Sequence, residues 1–517
     1  MPANKNSGQT PARGRVTCSR GAPQPGRLPS VRTAAQRTLG ALALLAIMAT
    51  AAAAGRYRVL PPDGIAPFTV VRTEAWPGPG TRIMVIAPHP DDETLGGEMV
   101  LRLAVNQHLP ARVLLITCGD GFRGAARAQF HRAPSPADMI HLGQIRQKET
   151  LHAARAMGLK PDQVVFLGFP DGGTLSLWSA NWLPTHRFRS RTTGVDHCPY
   201  ANALVPGAPY CGTALLSEIE SQLMRFRPTD IYVSHAWDKH PDHVAANLFL
   251  TAALSALSGE PFARHVRLHP YLVHADNFPL SGGYHPSLFM NPPDALRSNG
   301  LTWSELRLTP GQVAYRKNLI DLYSTQDRLT RPFLESLARR SVLFGEVPPA
   351  QVRRVAWSPE RPHWTSADTY YSEIRRAPHS ITREQAVSTP EGLLMRIEST
   401  DPSKGTLCRI FIHPLLRPGP GRVGPALASL GRAPAYLGTR LIVLTAPDKG
   451  RVSVSGGRRI DGKRSISLLL PRSLFSGASQ AYIYFRLIRA GHELRSTPWR
   501  VLNLPVSAAR IRHNANV

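Results

Sequence analysis

The sequence predicts an α/β protein that continues into a smaller all-β module. Short apolar runs alternate with amphipathic helical stretches from about residue 83 to 275, a pattern typical of a parallel sheet covered on both faces. Polar clusters follow the apolar runs, at the strand ends where such sheets bind ligands. Helical periodicity fades after about residue 348. We therefore expect a Rossmann-like, mainly parallel sheet with helices on both faces, followed by a sandwich-like module.

The predicted sheet contains five strands and four helices. The strands follow the apolar runs 83–87, 113–117, 164–169, 231–235 and 271–275. The helices follow the stretches 94–107, 140–157, 215–226 and 244–257, and Gly158 is a suitable C-cap for the second. The segment 174–213 shows neither pattern and is expected to be irregular.

The later part of the chain carries β-prone runs of even spacing. They are "GLLMRIES", "TLCRIFIHP", "RLIVLTA", "SISLLLP" and "AYIYFRLIRA", separated by turns rich in Gly, Pro, Asp and Lys. This spacing favours an antiparallel sandwich. The predicted organisation is a basic leader (1–55), a linker (56–78), the α/β domain (79–347), a second linker (348–390) and a basic β module (391–510).

The leader has the features of an export signal. Residues 1–55 contain seven Lys and Arg and no acid, and an apolar run spans residues 39–54. Ala52, Ala53 and Ala54 precede Gly55 in the A-x-A form of a cleavage site. We expect the protein to be exported or periplasmic; the alternative is an uncleaved segment that anchors it to the membrane.

Positive charge is concentrated at the two ends of the chain. The formal net charge is +27, and residues 401–517 alone contribute +15. Such a surplus indicates an anionic partner, here an envelope glycan or lipid surface. Nucleic acid is not expected, because the sequence lacks an RNA-binding signature and a recognition helix. A generally Arg-rich composition is the alternative, because these arginines are scattered.

The five cysteines do not form a zinc-cluster motif, since no C-x-x-C occurs. Cys198 and Cys211 lie in a Pro- and Gly-rich segment and would bridge in an oxidising compartment, although two unrelated thiols fit the spacing equally well. Cys118 ends an apolar run and is expected to be a small buried residue.

Two motifs at strand ends carry the chemistry. In "IAPHPDDETLGG" (86–97), His89 and Asp92 offer two metal ligands, and Asp91 is then free to act as a base. The motif "HPDH" (240–243) adds His240 and His243, one to complete the metal site and one to face the substrate. Each motif alone also suits a helix cap. Their occurrence together at strand ends favours a metal hydrolase.

The two motifs together resemble the paired signature of the N-acetylglucosaminyl-phosphatidylinositol de-N-acetylase family, the PIG-L or LmbE-like family. The resemblance spans about residues 83–344 and includes Arg146 and Glu149 on one helix, "FLGFPDG", "YLVHADNFP" and a helix end at "YSTQ" (323–326). It implies hydrolysis of acetyl groups from N-acetylglucosamine-type sugars with Zn²⁺ or another divalent metal.

The resemblance also implies a role for each residue of the two motifs. His89, Asp92 and His243 are implied as metal ligands, and Asp91 as the general base. His240 is implied to steady the tetrahedral intermediate, with Asp242 orienting His240.

Three further residues are candidates for substrate binding. Arg146 matches the family pattern and would contact a hydroxyl or phosphate; the alternative is a helix-surface ion pair. Asp171 would bind sugar hydroxyls or only start a Pro-Asp-Gly turn. Asp120, in "CGDG", also follows a strand. His274 is expected to be a core histidine.

The sequence therefore predicts a zinc-dependent de-N-acetylase that acts on an N-acetylated amino sugar or glycoconjugate. The segment 174–213 departs from the family pattern and is expected to shape the substrate pocket, so the family's substrate is not carried over. Two alternatives are a non-catalytic envelope glycan-binding protein and a metal amidase that acts on a non-sugar acyl group.

Overall fold

The structure is a computed structural model that describes residues 57–60, 69–279, 281–297, 300–356, 363–372, 381–399, 406–416, 440–445, 458–462, 465–475, 478–489 and 492–505. The described residues belong to one compact unit. The predicted leader and its cleavage site lie outside the described residues. In the described part of the chain, no helix is both long and apolar enough to cross a bilayer.

The α/β part contains nine strands and eight α-helices among the described residues. The strands are β1 (Tyr57–Leu60), β2 (Thr69–Thr73), β3 (Ile83–Ala87), β4 (Ala111–Thr117), β5 (Val164–Phe169), β6 (Asp230–Ser234), β7 (Arg267–Tyr271), β8 (Thr302–Arg307) and β9 (Ser341–Glu346). The helices are α1 (Asp92–Asn106), α2 (Arg123–Phe130), α3 (Pro136–Ala156), α4 (Thr174–Ser179), α5 (Gly212–Phe226), α6 (Pro241–Ala256), α7 (Pro310–Ile320) and α8 (Ser324–Ser336).

The strands form a nine-stranded sheet in the order β1-β2-β8-β9-β7-β6-β3-β4-β5. The five strands from β7 to β5 pair in parallel, and β9 pairs antiparallel with both of its neighbours. The predicted mainly parallel α/β fold is confirmed. The chain leaves β3 toward β4 on one side and reaches β6 on the other, so β3 and β6 form the switch point where ligands bind in such sheets.

Several elements differ from the sequence prediction. The stretch expected to be a linker contains β1 and β2, and β2 joins the sheet beside β8. The fifth parallel strand lies at Arg267–Tyr271 rather than 271–275, because Val273 and His274 donate their N–H groups to the Asp238 carboxylate instead of a neighbouring strand. The "YSTQ" segment begins α8 instead of ending a helix.

The C-terminal part forms the predicted additional sheets. Its strands are β10 (Ala350–Gln351), β11 (Arg353–Arg354), β12 (Thr369–Ser372), β13 (Ile381–Ser388), β14 (Gly392–Ser399), β15 (Thr406–Leu416), β16 (Arg440–Thr445), β17 (Arg458–Gly462), β18 (Ser465–Pro471), β19 (Ala478–Arg489), β20 (His492–Ser496) and β21 (Arg500–Asn503). They form two six-stranded sheets, one around β15 and β19 and the other around β13, β14 and β18. Apolar side chains from both sheets share one core, which makes this module a sandwich.

Strand β19 has a different neighbour on each face. Ala481, Ile483 and Phe485 point into the sandwich core. Tyr482, between them, belongs to the core that lies under α5 and α6 of the α/β part. This alternation is the period-2 pattern of a strand buried on both sides. The β module and the α/β part therefore share apolar core rather than meeting at a polar surface.

The cysteines contradict one prediction. Cys198 and Cys211 are free, buried thiols, so the expected disulfide is wrong. The Sγ atom of Cys198 packs at Gly168, and that of Cys211 lies 3.4 Å from Thr213 Oγ1. The two thiols are buried in different surroundings, although they are close in sequence. Cys118 is fully buried, as predicted.

Candidate metal centre

The loop between β3 and α1 and the first turn of α1 place four titratable side chains at the carboxyl edge of the sheet: His89, Asp91, Asp92 and Glu93. α1 begins at Asp92, so Asp92 and Glu93 lie in its first turn, where acids complement the helix dipole. Asp91 precedes the helix with φ of 113°, a conformation that residues other than glycine rarely adopt. Its carbonyl oxygen accepts bonds of 2.9 Å from the N–H groups of Thr94 and Leu95. The helix start thus holds a strained residue at the edge of the site.

His89 is fixed by its own loop. Its backbone N–H donates to Asp92 Oδ2 at 3.0 Å, and its ring Nδ1 lies 3.1 Å from the same oxygen. The ring Nε2 faces Asp242 Oδ2 at 3.2 Å and Asp171 Oδ1 at 3.4 Å. The imidazole therefore lies among three carboxylates.

The loop between β6 and α6 supplies the second group of histidines. His240 is the N-cap of α6 and is followed by Pro241, which suits the first helical position. His243 lies in the first turn of α6 and is fully buried. Its Nδ1 faces Asp238 Oδ2 at 3.3 Å. A carboxylate behind a histidine in this way orients it and raises its basicity as a metal ligand.

Asp92 lies between the two predicted histidine ligands. Asp92 Oδ2 lies 3.1 Å from His89 Nδ1 and 3.1 Å from His243 Nε2. Ligands at the usual distance of about 2.0–2.2 Å from a tetrahedral Zn²⁺ are roughly 3.3 Å apart, so this spacing suits a small divalent ion. Among the described residues, neither ring nitrogen of His243 has a well-aligned hydrogen bond. A buried histidine without such bonds, beside two carboxylates, fits a divalent metal site.

The neighbouring donors allow other combinations. Nitrogens of His89, His240 and His243 lie within 4.8 Å of one another, as do donor atoms of Asp238, His243 and His274. A third such group is formed by His89, Asp171 and Asp242. The ligand assignment to His89, Asp92 and His243 therefore stays a prediction, and His240 is close enough to be an additional donor.

Charge and burial together set the ionisation of the site. Burial raises the pKa of Asp92, but His243 and His89 outweigh burial and hold that pKa well below its ordinary value. Burial lowers the pKa of His243, but Asp92 and Asp238 raise it to about 10. Burial and the charge of Asp92 raise the pKa of Asp91 to about 8, with Arg146 opposing. The pKa values of the two adjacent aspartates are thus shifted in opposite directions, and a cation in the site would lower both pKa values.

His240 differs from the other two histidines. Burial and the positive charges of His89 and His243 lower the pKa of His240 to about 4, so it is neutral at physiological pH. Its Nδ1 accepts a 3.3 Å bond from the backbone N–H of Asp242. In a neutral imidazole the proton then lies on Nε2, which leaves a donor directed away from the backbone.

The side chain of Asp242 has a different partner from the predicted one. Its Oδ1 accepts from the Oγ1 and N–H of Thr174 at 2.6 and 3.1 Å, and its Oδ2 accepts from the Gly172 N–H at 2.6 Å. The same Oδ2 faces His89. The carboxylate therefore orients His89, and it is the backbone of Asp242 that binds His240. Asp242 lies between His240 and His243 in the sequence, but its carboxylate contacts His89 of the other motif.

The three candidate substrate residues lie around the site at different depths. Arg146 is buried and donates to the carbonyl oxygens of Pro90 and Gly119 at 2.6 and 3.0 Å; its Nη2 is 3.4 Å from Asp91 Oδ2. It is not the surface ion pair that was the alternative. Asp120 is 1% exposed and accepts a 2.6 Å bond from the Tyr200 hydroxyl.

Asp171 does more than start a turn. Its Oδ2 accepts a 2.7 Å bond from the Gly121 N–H, and its Oδ1 faces His89. Burial raises its pKa, but His89 outweighs this and holds the pKa below its ordinary value. The residue is therefore a charged neighbour of a predicted metal ligand, and its role toward a substrate stays a prediction.

The sequence analysis missed two supporting residues. Asp238 accepts from the N–H groups of His240, Val273 and His274 and also faces His243. The only sequence signal was an acid in "HAWDKHPDH", five residues before a predicted ligand. His274 is not a core histidine: its side chain is 35% exposed, its Nδ1 lies 3.2 Å from Asp238 Oδ1, and its ring is 4.7 Å from that of His243.

The fold and the site define an α/β protein with a candidate divalent-metal centre at its topological switch point. Residues 84–254 match the family model described as PIG-L, GlcNAc-PI de-N-acetylase. This part of the chain is a PIG-L family domain. Both motifs lie inside the matched range, so the resemblance noted from the motifs is confirmed.

Comparison with other proteins adds likenesses of fold. A conserved protein from Thermus thermophilus is 22% identical, with 50% of this chain and 84% of that chain covered and a TM-score of 0.30. The N,N'-diacetylchitobiose deacetylase from Pyrococcus horikoshii is 14% identical, with 52% and 82% covered and a TM-score of 0.30. The 4-carboxy-2-hydroxymuconate hydratase from Pseudomonas putida is 14% identical, with 52% and 97% covered and a TM-score of 0.29. Scores this low support no assignment of activity. No curated protein gave a match.

Proposed function

We propose that the protein is a zinc-dependent de-N-acetylase that hydrolyses the acetamide of an N-acetylated amino sugar or glycoconjugate. The observation that carries the proposal is the pair of adjacent aspartates with different partners. Asp92 lies between two buried histidines at 3.1 Å from each, whereas Asp91 faces Arg146 at the rim. One carboxylate suits a ligand and the other a base, inside a domain of a de-N-acetylase family.

His89, Asp92 and His243 would hold the ion. Two imidazoles and one carboxylate are a usual donor set for Zn²⁺ in hydrolases, which leave a coordination position free. When bound, such an ion supplies Lewis-acid chemistry that polarises the amide carbonyl and acidifies water. Asp238 and Asp242 orient His243 and His89 from behind.

The residues of the chain would divide the proton transfers and charge stabilisation between them. Asp91 takes a proton from the water that attacks the acetamide carbon and delivers it to the departing amine. His240 donates its Nε2–H to the carbonyl oxygen as negative charge develops there. Arg146 fixes Asp91 through its contact with the Asp91 carboxylate and the Pro90 carbonyl. The products are acetate and a free amino sugar.

The test separates the two aspartates. Asp92→Ala, His89→Ala and His243→Ala should each lose zinc, because two remaining ligands bind the ion poorly. Asp91→Asn should keep zinc and lose about 10²–10⁴-fold in the rate of amine release, since it removes only proton transfer. The measurements are zinc content and amine release from N-acetylated sugars for each purified variant.

The same series contains outcomes that contradict the proposal. If Asp91→Asn loses the metal and Asp92→Ala keeps it, the two roles are exchanged. If no variant changes the metal content, the motif only caps α1. His240→Ala should retain the metal, and loss of metal there would make His240 a ligand.

The substrate screen also distinguishes the two alternatives. A metal amidase for non-sugar acyl groups would release amine from simple N-acyl amines faster than from N-acetyl sugars. A non-catalytic glycan-binding protein would bind N-acetylated glycans without releasing amine. The buried Asp92 between two histidines favours an enzyme over the binding protein.

We also propose that the mature protein works outside the cytoplasm, with the basic β module against an anionic glycan or lipid surface. The leader sequence and the +15 charge of residues 401–517 support this proposal. Sequencing the N-terminus of protein from its native host tests the location. A chain that starts near Gly55 agrees with export, whereas intact residues 39–54 on a membrane-bound chain indicate an anchor.

A further inference from the structure

The segment 174–213, which the sequence predicts to shape the substrate pocket, carries an alternating sequence "RFRSR" at residues 187–191. Phe188 is half-buried, with its ring packed on Gly173, and Ser190 is 3% exposed. Arg187, Arg189 and Arg191 are exposed. The two residues between the arginines thus pack on the protein, and the three arginines face the solvent.

One path of contacts connects this segment with the metal centre through Gly173. The Phe188 ring packs so closely on Gly173 that a Cβ there would lie 2.4 Å from Phe188 Cε1. The residues on either side of Gly173, Gly172 and Thr174, bind the Asp242 carboxylate, which in turn faces His89.

A second, independent path runs through Arg123. Arg123 is exposed, and its Nη2 donates to the Arg191 carbonyl at 2.9 Å. Gly121, two residues earlier, donates to Asp171, whose other oxygen is 3.4 Å from His89 Nε2. The segment is therefore attached at two points to loops that contact a predicted metal ligand.

The charge of this strip, defined as Arg123, Arg187, Arg189 and Arg191, is weakly compensated. Asp196 is the single acid in residues 174–213, and its carboxylate contacts His197 at 3.0 Å. The bond to His197 and the nearby charge of Arg187 lower the pKa of Asp196, so one of the four arginines has an acid in its neighbourhood. Within the described residues, no carboxylate forms a salt bridge with the four arginines. Exposed arginines without such partners are suited to bidentate contacts with phosphate, sulfate or carboxylate.

We infer that the strip is a substrate subsite for an anionic group, so that the glycoconjugate carries a phosphate, sulfate or carboxylate close to its N-acetylated sugar. The inference rests on the proposed function and specifies its substrate class. The strip adds affinity and selects the substrate, while the bond cleaved is still the acetamide.

The test compares a triple variant, Arg187→Gln/Arg189→Gln/Arg191→Gln, with the wild-type protein on N-acetylglucosamine and N-acetylglucosamine 1-phosphate. All three side chains are exposed, so the fold should tolerate the change. KM for the phosphate should rise on the order of 10- to 100-fold with kcat nearly unchanged, because the contact binds and does not react. KM for the neutral sugar should not change.

A matched control carries the same loss of charge elsewhere. Arg155, Arg225 and Arg264 are exposed and lie just before strands, at the opposite edge of the sheet from the site. The variant Arg155→Gln/Arg225→Gln/Arg264→Gln should leave both KM values unchanged. Equal effects from the two triple variants would mean that only net charge matters, and would overturn the subsite.

A binding measurement keeps the inference independent of turnover. Titration calorimetry of N-acetylglucosamine 1-phosphate into Asp91→Asn protein should show binding that weakens with salt and that the added triple variant abolishes. If wild-type protein releases amine from neither sugar, the proposed function fails, and the titration still decides about the strip. Unchanged phosphate affinity in the triple variant overturns the inference. If the triple variant keeps its phosphate affinity but no longer binds phosphatidylglycerol vesicles, the strip is a lipid contact instead.

Discussion

The two loops that form the candidate metal centre are held in place in different ways. The β3–α1 loop, residues 88–91, is fixed by neighbours in its own stretch of chain and by Arg146 of α3. The β6–α6 loop, residues 235–240, is supported from the β module, whose contacts lie more than 250 residues away in sequence. Both loops have partners inside the α/β part, but the β6–α6 loop is in addition bonded to a residue 262 positions later in the chain.

Trp237 makes the distant contact. It is 6% exposed, and its indole N–H donates to the Trp499 carbonyl at 3.1 Å. The Arg500 guanidinium lies 3.8 Å from the centre of the Trp237 ring. Asp238, the next residue, is the carboxylate behind His243. Trp237 thus connects the β module with the loop that carries Asp238, so the surroundings of the candidate metal centre extend beyond the parallel sheet.

The largest expected effect is that of acid on the packing of the β module against the α/β part. His413 of β15 is buried against Trp178, with ring centres 4.2 Å apart. Burial lowers the pKa of His413 to about 3, with a bond to the Trp178 backbone opposing. An unfolded histidine titrates near 6.5. Between about pH 6.5 and about pH 3 the unfolded state binds the extra proton. This histidine should therefore lower the free energy of unfolding by about 1.4 kcal/mol for each unit that the pH falls.

The variant His413→Phe isolates this contribution. Its free energy of unfolding, measured with urea from pH 7 to pH 4, should depend less on pH than that of the wild type, whatever its absolute stability. His235, whose pKa burial lowers to about 4, titrates in both proteins and cancels in the comparison. Parallel curves for the two proteins would show that His413 is not the acid-sensitive group.

Asp238→Asn should have the next largest effect, on metal affinity. The amide keeps one acceptor for the backbone N–H groups but removes the charge behind His243. Loss of such a partner typically costs 10- to 100-fold in metal affinity, and we expect a loss of about that size. Competition with a zinc chelator measures it. In the other loop, Glu93→Gln, which retains an acceptor for the Tyr323 hydroxyl, should change the affinity much less.

Trp237→Phe should have a smaller effect on the same quantity. The phenyl ring keeps most of the packing but leaves the Trp499 carbonyl without its donor, a loss of about 1 kcal/mol. Metal affinity should fall several-fold, because Asp238 is less firmly placed. The matched control is Tyr482→Phe, which removes a 3.1 Å contact with Thr251 at another point of the same module. Equal metal affinity in the two variants would refute a specific role for Trp237.

Asp91→Gly should have the smallest effect on stability, and that effect should be stabilising. Glycine adopts φ of 113° without strain, so the free energy of unfolding should rise by about 1 kcal/mol after the greater flexibility of unfolded glycine is subtracted. Activity should be lost with the carboxylate. Thermal unfolding, measured beside amine release, checks both. A lower melting temperature would show that the Arg146 contact outweighs the strain.

The comparison of the loops also explains what the sequence could predict. His89, Asp91 and Asp92 follow an apolar run within six positions. Neighbours in sequence suffice to define the strand end and the helix start there, so this part of the site could be predicted. The predicted pairing of Asp242 with His240 shows the limit of such short-range signals. Adjacency in "HPDH" suggested a pair, whereas Thr174 and Gly172 come from another strand end and direct the carboxylate to His89. Contacts between different βα units leave no periodic signal.

The packing of the β module on the α/β part left even less trace in the sequence. The sequence predicted the sandwich from even strand spacing, but not that alternate residues of β19 would pack on the α/β part. Tyr482 looks in sequence like any β-strand aromatic residue. Similarly, β1 and β2 were hidden in a Pro- and Gly-containing stretch. They are four and five residues long, with β1 at the edge of the sheet, and such short strands give little periodic signal.

The bond between Trp237 and Trp499 also has a consequence for the order of assembly. The ribosome makes Trp499 262 residues after Trp237, so the nascent chain carries the parallel sheet and both histidine motifs long before the support arrives. During that interval the β6–α6 loop already has partners in the α/β part, such as the bonds from Val273 and His274 to Asp238, but it lacks the contact with Trp499. A chain interrupted within the β module would leave the ribosome with both motifs present and Trp237 unsupported, and we expect it to bind metal more weakly than the complete chain.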